Sequence, residues 1–210
     1  MARVTDPPAT EPPATGRAGP RTGARQRLLE VAARLFYAEG IHAVGIDRII
    51  AEAGVAKATL YAHFSGKEEL VAAYLSERSD RWASDVAARV EPLPPGSPER
   101  VLAPFDLLAE RVATPGYRGC PFINAAAEFP APGLVADRIT DHRERVRGAF
   151  EALAAEAGAA GRDVGTDLVV LYDGAMTAAH LDADPSAVTG ARALAASVVS
   201  GAHVPAGTAG

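Results

Sequence analysis

Apolar residues recur along this chain at intervals of three and four, the spacing that gathers side chains on one face of an α-helix. Leu28, Leu29, Ala32, Leu35 and Phe36 form the first such set and predict a helix from about residue 21 to 39. Gly40 follows, where a helix C-terminus accepts glycine. Ile46 to Ala53 is a second, shorter amphipathic run, and Lys57 to Phe64 a third. Only Gly54-Val55-Ala56 separates them. Two helices joined by so short a glycine-containing turn form a helix-turn-helix. The second of the pair carries Lys57, Thr59, Tyr61 and His63, a polar set of the kind that faces a DNA groove.

The pattern continues as helix throughout. Ser65-Gly66-Lys67-Glu68 fits a capping box that opens a long helix, from about Gly66 to Val90, with Leu70, Tyr74, Leu75, Trp82 and Val86 on its buried side. A proline-rich break follows. Ser97 as cap and Pro98 as first residue then open a helix to about Ala113, carrying Val101, Leu102, Phe105, Leu108 and Val112. Gly119-Cys120-Pro121-Phe122-Ile123-Asn124 opens a short helix to about Glu128, and a longer one runs from Gly133 to about Ala157. Leu134, Ile139, Val146, Phe150 and Leu153 give the longer one its apolar side. Its charged middle, Asp137 to Arg147, reads as a solvated face with pairs such as Asp141 and Arg145. Two last helices, about 164–181 and 185–202, are dense in Ala, Gly, Val and Leu, with Asp184-Pro185 opening the second. Two adjacent helices so small and apolar mark an interface. No strand pattern stands out, so the fold class is all-α with about nine helices.

Composition adds little to this, and charge adds more. The hydrophobic fraction of 48% is ordinary for a globular chain. No apolar run is long enough to span a membrane, no N-terminal apolar segment reads as a secretory signal, and the single Cys120 has no internal disulfide partner. These fit a cytoplasmic protein. The net charge is −5, which argues against a generic basic nucleic-acid binder. Its distribution restores the case: residues 1–81 carry a net +1, and residues 82–210 a net −6. The acidic bulk therefore lies away from the helix-turn-helix. Residues 1–20 lack apolar periodicity and read as a disordered tail. Arg17, Arg21, Arg25 and Arg27 would let it serve as an arm on DNA.

Residues 25–72 resemble the TetR family of bacterial transcriptional repressors. The resemblance rests on Leu35-Phe36 and Glu39-Gly40, on Ile46-Asp47-Arg48-Ile49-Ile50-Ala51, on Ala53 through Phe64, and on Lys67-Glu68-Glu69-Leu70. Gly45, Ala56 and Ala58 depart from the usual pattern, which has a capping residue at the first and small polar residues or glycine at the others. Further along, Gly119 to Asn124 and the helix after Asp184-Pro185 resemble one of the family's C-terminal types. The resemblance implies an all-helical homodimer with a DNA-binding domain over about 21–65 and a ligand-binding and dimerisation domain over about 66–204. Dimerisation would run through residues 164–181 and 185–202. The partners would be double-stranded operator DNA and a small-molecule effector, with no membrane.

On this reading Lys57 and Thr59, near the start of the recognition helix, meet base edges or nearby phosphates. Tyr61 and His63 resemble family residues that meet the phosphate backbone. Lys67 offers a phosphate contact at a helix N-terminus, and Arg48 reaches the backbone from the preceding helix. Leu60, Ile49, Val55 and Phe64 are core. Candidates for a ligand pocket are Phe105, Leu108, Phe122, Asn124, Tyr172, Met176 and His180, with Val112, Glu128 and His142 as further members. Asn124 and His180 stand out because polar groups inside a helical body need partners. Cys120, His142 and His180 have no metal-site spacing, and no cofactor is implied. No phosphate loop, nucleophile elbow or metal motif is present, so nothing in the sequence points to an enzyme.

Overall fold

The computed structural model describes residues 23–159 and 164–201. Among them are nine helices and no strand: α1 (Ala24–Glu39), α2 (Ile46–Ala53), α3 (Lys57–His63), α4 (Lys67–Val90), α5 (Pro98–Val112), α6 (Pro121–Glu128), α7 (Leu134–Glu156), α8 (Val164–Leu181) and α9 (Ser186–Gly201). The expected tail, and the arm residues Arg17 and Arg21, lie outside the described residues. Arg25 and Arg27 lie inside them and are held to the folded head. The Arg25 guanidinium sits 5.3 Å from the centre of the Phe64 ring, and Arg27 Nε donates to the Ala53 carbonyl at 3.4 Å.

Helices α1 to α3 close around Leu28, Leu29, Ile49 and Leu60, none of which reaches solvent. Gly54 makes the turn between α2 and α3 possible. It adopts φ +62°, ψ 40°, the left-handed conformation that glycine takes without a side-chain clash. Val55, expected in the core, is only half-buried against it. The same buried cluster extends into Leu70, Val71, Tyr74 and Leu75 of α4, and takes in Phe122 and Ala125 of α6 and Val135 of α7. A second cluster fills the body. It runs through Trp82 and Val86, then Phe105, Phe150 and Leu168, to Val188 and Val199. There α8 packs on α9, α5 on α9, and α7 on both α4 and α8. Helix α4 belongs to both clusters.

Several local expectations shift. Helix α4 begins one residue later than the capping-box reading has it. Gly66 is its cap, and Glu69, not Glu68, reaches back to accept from the Ser65 amide at 2.6 Å. That bond holds the Glu69 carboxyl below its usual range. The Ser65 hydroxyl caps nothing, so only the reciprocal half of the motif forms. Ser97 likewise gives α5 no side-chain cap, and among the described residues its buried hydroxyl has no partner. In α7, Leu134 is exposed and Val135 takes the buried place.

The charged middle of α7 is not simply a solvated face. Asp141 pairs with Arg138 at 2.9 Å, not with Arg145. Arg145 reaches Asp80 of α4 at 2.7 Å, and Arg143 pairs with Asp173 of α8. His142, in the middle of the run, is buried. Helix α9 begins at Ser186, one residue after the expected Pro185, and the expected cap residue Asp184 accepts from the Ser186 amide at 2.8 Å.

Candidate DNA interface and effector cavity

Helix α3 has seven residues and buries one of them, Leu60, in full. Lys57, Tyr61 and His63 are exposed, and Thr59 is half-buried. Lys57 and Tyr61 lie one turn apart and so share a face. The Lys57 ammonium reaches Asp47, in the first turn of α2, at 3.0 Å, and the bond raises its pKa. Both partners are well exposed. A pair of this kind is weak in water, so the ammonium can exchange Asp47 for a DNA phosphate at little cost.

Arg48 is placed differently. Its two terminal nitrogens donate to the two carboxylate oxygens of Glu39 at 2.6 and 2.9 Å, and its Nε donates to Glu52 at 2.9 Å. Arg34 pairs with the other side of Glu52. These four side chains knit α1 to α2. With Nη1 and Nη2 on Glu39 and Nε on Glu52, neither fork of the guanidinium is free for a bidentate contact in this arrangement. Lys67 is half-buried, and burial lowers its pKa. Its ammonium lies 3.4 Å from the His42 carbonyl, beside the loop between α1 and α2. Only the Arg48–Glu52 pair, one turn apart on α2, has a spacing visible in sequence. The partnerships of Arg48 with Glu39, Lys57 with Asp47 and Arg34 with Glu52 form only once the helices cross.

The body holds a cavity of about 370 Å³ that is partly open to solvent. Phe122, Ile123 and Ala126 line it from α6, with Cys120 at that helix's cap. Ile139, His142, Arg143 and Val146 line it from α7, and Tyr172, Asp173 and Met176 from α8. A smaller hollow of about 200 Å³, lined by Leu108, Tyr117 and Tyr37 among others, shares Cys120 and Met176 with it. Of the residues expected around a pocket, Phe122, His142, Tyr172 and Met176 therefore come together, and Leu108 faces the neighbouring hollow. Phe105 lies in the aromatic cluster behind Tyr172, its ring centre 5.5 Å away. Asn124 points elsewhere and donates to the Arg118 carbonyl at 2.9 Å. His180 is exposed, its ring against Gly119 and 6.3 Å from that of Tyr117.

His142 is the polar centre of the 370 Å³ cavity. It stacks on Phe122 with ring centres 3.5 Å apart and planes within 8°. Trp82 meets it edge-on at 5.7 Å. Its Nδ1 shares a hydrogen bond of 3.0 Å with the Ser79 hydroxyl. Burial, and then the positive charges of Arg145, Arg143 and Arg111, push its pKa down to about 4, so the ring is neutral at pH 7. Tyr172 accepts from Trp82 Nε1 at 3.2 Å, and burial raises its pKa.

Helix α6 joins cavity to head. Phe122 and Ala125 are buried in the head cluster, while Phe122, Ile123 and Ala126 form the cavity wall. At its C-terminal end, the Glu128 carboxylate accepts from the amides of Ile41 (2.8 Å) and His42 in the loop between α1 and α2. At its other end, the Tyr37 hydroxyl donates to the Gly119 carbonyl at 3.1 Å and accepts from the Arg118 amide at 2.8 Å. Glu128 is a pocket candidate by sequence; its carboxylate instead grips the head from 86 or more residues away.

Comparison with known proteins agrees with this architecture. Residues 28–74 match the family model for bacterial regulatory proteins of the tetR family, and residues 97–195 match that of the tetracyclin repressor-like C-terminal domain. A TetR-family transcriptional regulator of Streptomyces coelicolor superposes with a TM-score of 0.75 at 42% identity, over 85% of this chain and 93% of that one. The match to curated relatives spans only about a third of their length. The transcriptional activator FasR of Mycolicibacterium smegmatis is 45% identical over 67 residues, 32% of this chain and 31% of its own. A transcriptional repressor of Rhodococcus jostii is 40% identical over 62 residues, 30% of each. Among the described residues no helix is long and apolar enough to cross a membrane. The chain belongs to the TetR family of DNA-binding transcriptional regulators.

Proposed function

We propose that this protein is a cytoplasmic homodimeric repressor that leaves its operator when a small molecule fills the cavity between α6, α7 and α8. The observation that carries the reading is the double membership of α6. A ligand that displaces Phe122, Ile123 or Ala126 moves a helix whose other side is head core and whose end holds the Ile41 and His42 amides. A ligand shifts an equilibrium only through a difference in affinity between two states, and α6 gives that difference a physical path. Helix α4, which joins head and body, is the second path.

Dimerisation is the condition for this switch. One recognition helix makes few contacts. Two heads on a dimer read two half-sites about 34 Å apart, or a multiple of that, so a change in head spacing releases the DNA. We assign the interface to α8 and α9, where Val170, Leu181 and Leu194 stand 63%, 74% and 57% exposed. On the recognition face, Lys57 and Thr59 serve base edges, and Tyr61, His63 and Lys67 serve phosphates. Arg48 keeps α1 and α2 in register and does not itself contact DNA. The division near residue 65 separates a DNA-reading part from a ligand-reading part. The matched relatives include an activator and a repressor, which fits a sign of regulation set by operator position; for this chain we infer repression.

Selecting bound sequences from random DNA, followed by binding measured against salt concentration, tests this reading. The expected result is a defined palindromic site and a log–log slope of several units; a slope near zero would overturn it. A reporter gene placed behind that site separates repression from activation.

A further inference from the structure

The charge inventory of the cavity limits what enters it. Resting on the effector reading above, we propose that the effector is an uncharged, ring-bearing molecule whose single hydroxyl group bonds His142. Three observations support this.

The first concerns ions. Arg143 and Asp173, the two charged residues in the wall, are paired with each other. A ligand carboxylate that takes Arg143 leaves Asp173 unpaired, and a ligand ammonium that takes Asp173 leaves Arg143 unpaired. Either ion also sheds its hydration with no net gain of partners, which is costly in an apolar site. The second concerns the polar anchor. His142 uses Nδ1 on Ser79, and among the described residues no protein group hydrogen-bonds its Nε2. Depending on the tautomer, that nitrogen donates or accepts. A hydroxyl does both, so it satisfies either tautomer. The third concerns shape. The wall presents the stacked Phe122 and His142 rings and the Tyr172 ring alongside Ile139, Val146 and Met176. At about 370 Å³ the space lies near the small end of ligand pockets, roughly 300–1,000 Å³, and suits two or three fused rings better than a long chain.

Four probes of one shape test the proposal by titration calorimetry on the full-length protein: 2-naphthol, naphthalene, 2-naphthoate and 2-naphthylmethylammonium. Naphthol is expected to bind most tightly, about tenfold over naphthalene and more than tenfold over either ion. His142→Phe keeps the ring stack and should remove the advantage of naphthol over naphthalene. Ile123→Trp changes a partly exposed wall residue, so the fold survives, and should block all binding by filling the space. Tighter binding of the carboxylate or the ammonium overturns the claim of an uncharged effector. Equal binding of naphthol and naphthalene overturns the hydroxyl. Binding of none of the four overturns the ring-bearing class. Operator affinity of the same preparation is measured separately: naphthol binding without operator release defeats the switch reading and leaves the ligand assignment standing.

Discussion

Two surfaces of this molecule are left uncovered by the fold, and they are opposite in kind. On α3 the uncovered side chains are Lys57, Tyr61 and His63, and Tyr61, at 50%, is the only large apolar residue of α1 to α3 that stands well exposed. On α8 and α9 they are Val170, Leu181 and Leu194, all more than half exposed. A face of weakly paired polar groups suits a hydrated polyanion that must be released. A face of aliphatic groups on small-residue helices suits a second apolar surface that stays in place. On the function proposed above, the first contact exchanges and the second lasts.

Placing charge on the lasting surface should have the largest effect. The double variant Val170→Glu, Leu194→Glu should sediment as a monomer and lose operator affinity by on the order of 100-fold or more, because the second half-site no longer adds to the first. A dimer in that variant would refute the α8–α9 assignment. Next comes the core beneath the exchanging surface. Leu60→Ala should destabilise the protein by about 2–5 kcal/mol in denaturant titration, since Leu60 has no exposure and its loss leaves a cavity.

Glu128→Gln tests the link between the regions. It weakens two charge-assisted hydrogen bonds, at a cost of about 1–3 kcal/mol. Hydrogen exchange at the Ile41 and His42 amides should speed up while the amides of α8 keep their protection. Unchanged exchange would remove Glu128 from the coupling path.

The pH dependence should be gentler, spread over more than two pH units. His142 has its pKa lowered from 6.5 to about 4 in the folded state, so between those values the unfolded chain takes up a proton that the folded chain refuses. Its contribution to stability is whole above pH 6.5 and falls as the pH drops, by up to about 1.4 kcal/mol per unit. His142→Phe should flatten that part of the slope. The smallest effect on stability belongs to the exchanging surface itself. Lys57→Ala should leave the melting temperature unchanged and reduce the salt slope of operator binding by about one. Arg48→Ala should leave that slope as it is, because its guanidinium is spent on Glu39 and Glu52.

Much of the fold is legible in residue spacing. The helices lie where the three- and four-residue intervals of Leu28 to Phe36, Leu70 to Val86 and Val101 to Leu108 place them, because a buried helix face requires those intervals. The turn at Gly54 and the exposed set on α3 follow from local chemistry. The cavity is legible only in part. Phe122, His142, Tyr172 and Met176 line it, whereas Asn124 and His180 are polar groups placed outside it, and nothing in their neighbours in sequence distinguishes the two cases. His142 stands inside an unbroken polar and charged run, Thr140 to Arg145, and periodicity alone cannot mark one buried position in such a run.

The sequence by itself determined the class of fold, the order and approximate ends of the helices, the helix-turn-helix and the apolar character of the last two helices. Each depends on residues within a turn or two of one another, where the period of the helix fixes which side chains meet. The tertiary structure alone decided the fork of Arg48 on Glu39, the grip of Glu128 on the α1–α2 loop, the burial and neutral state of His142, and the cavity it faces. Each of these depends on the angle and height at which distant helices cross, and that is set by the packing of the whole chain at once.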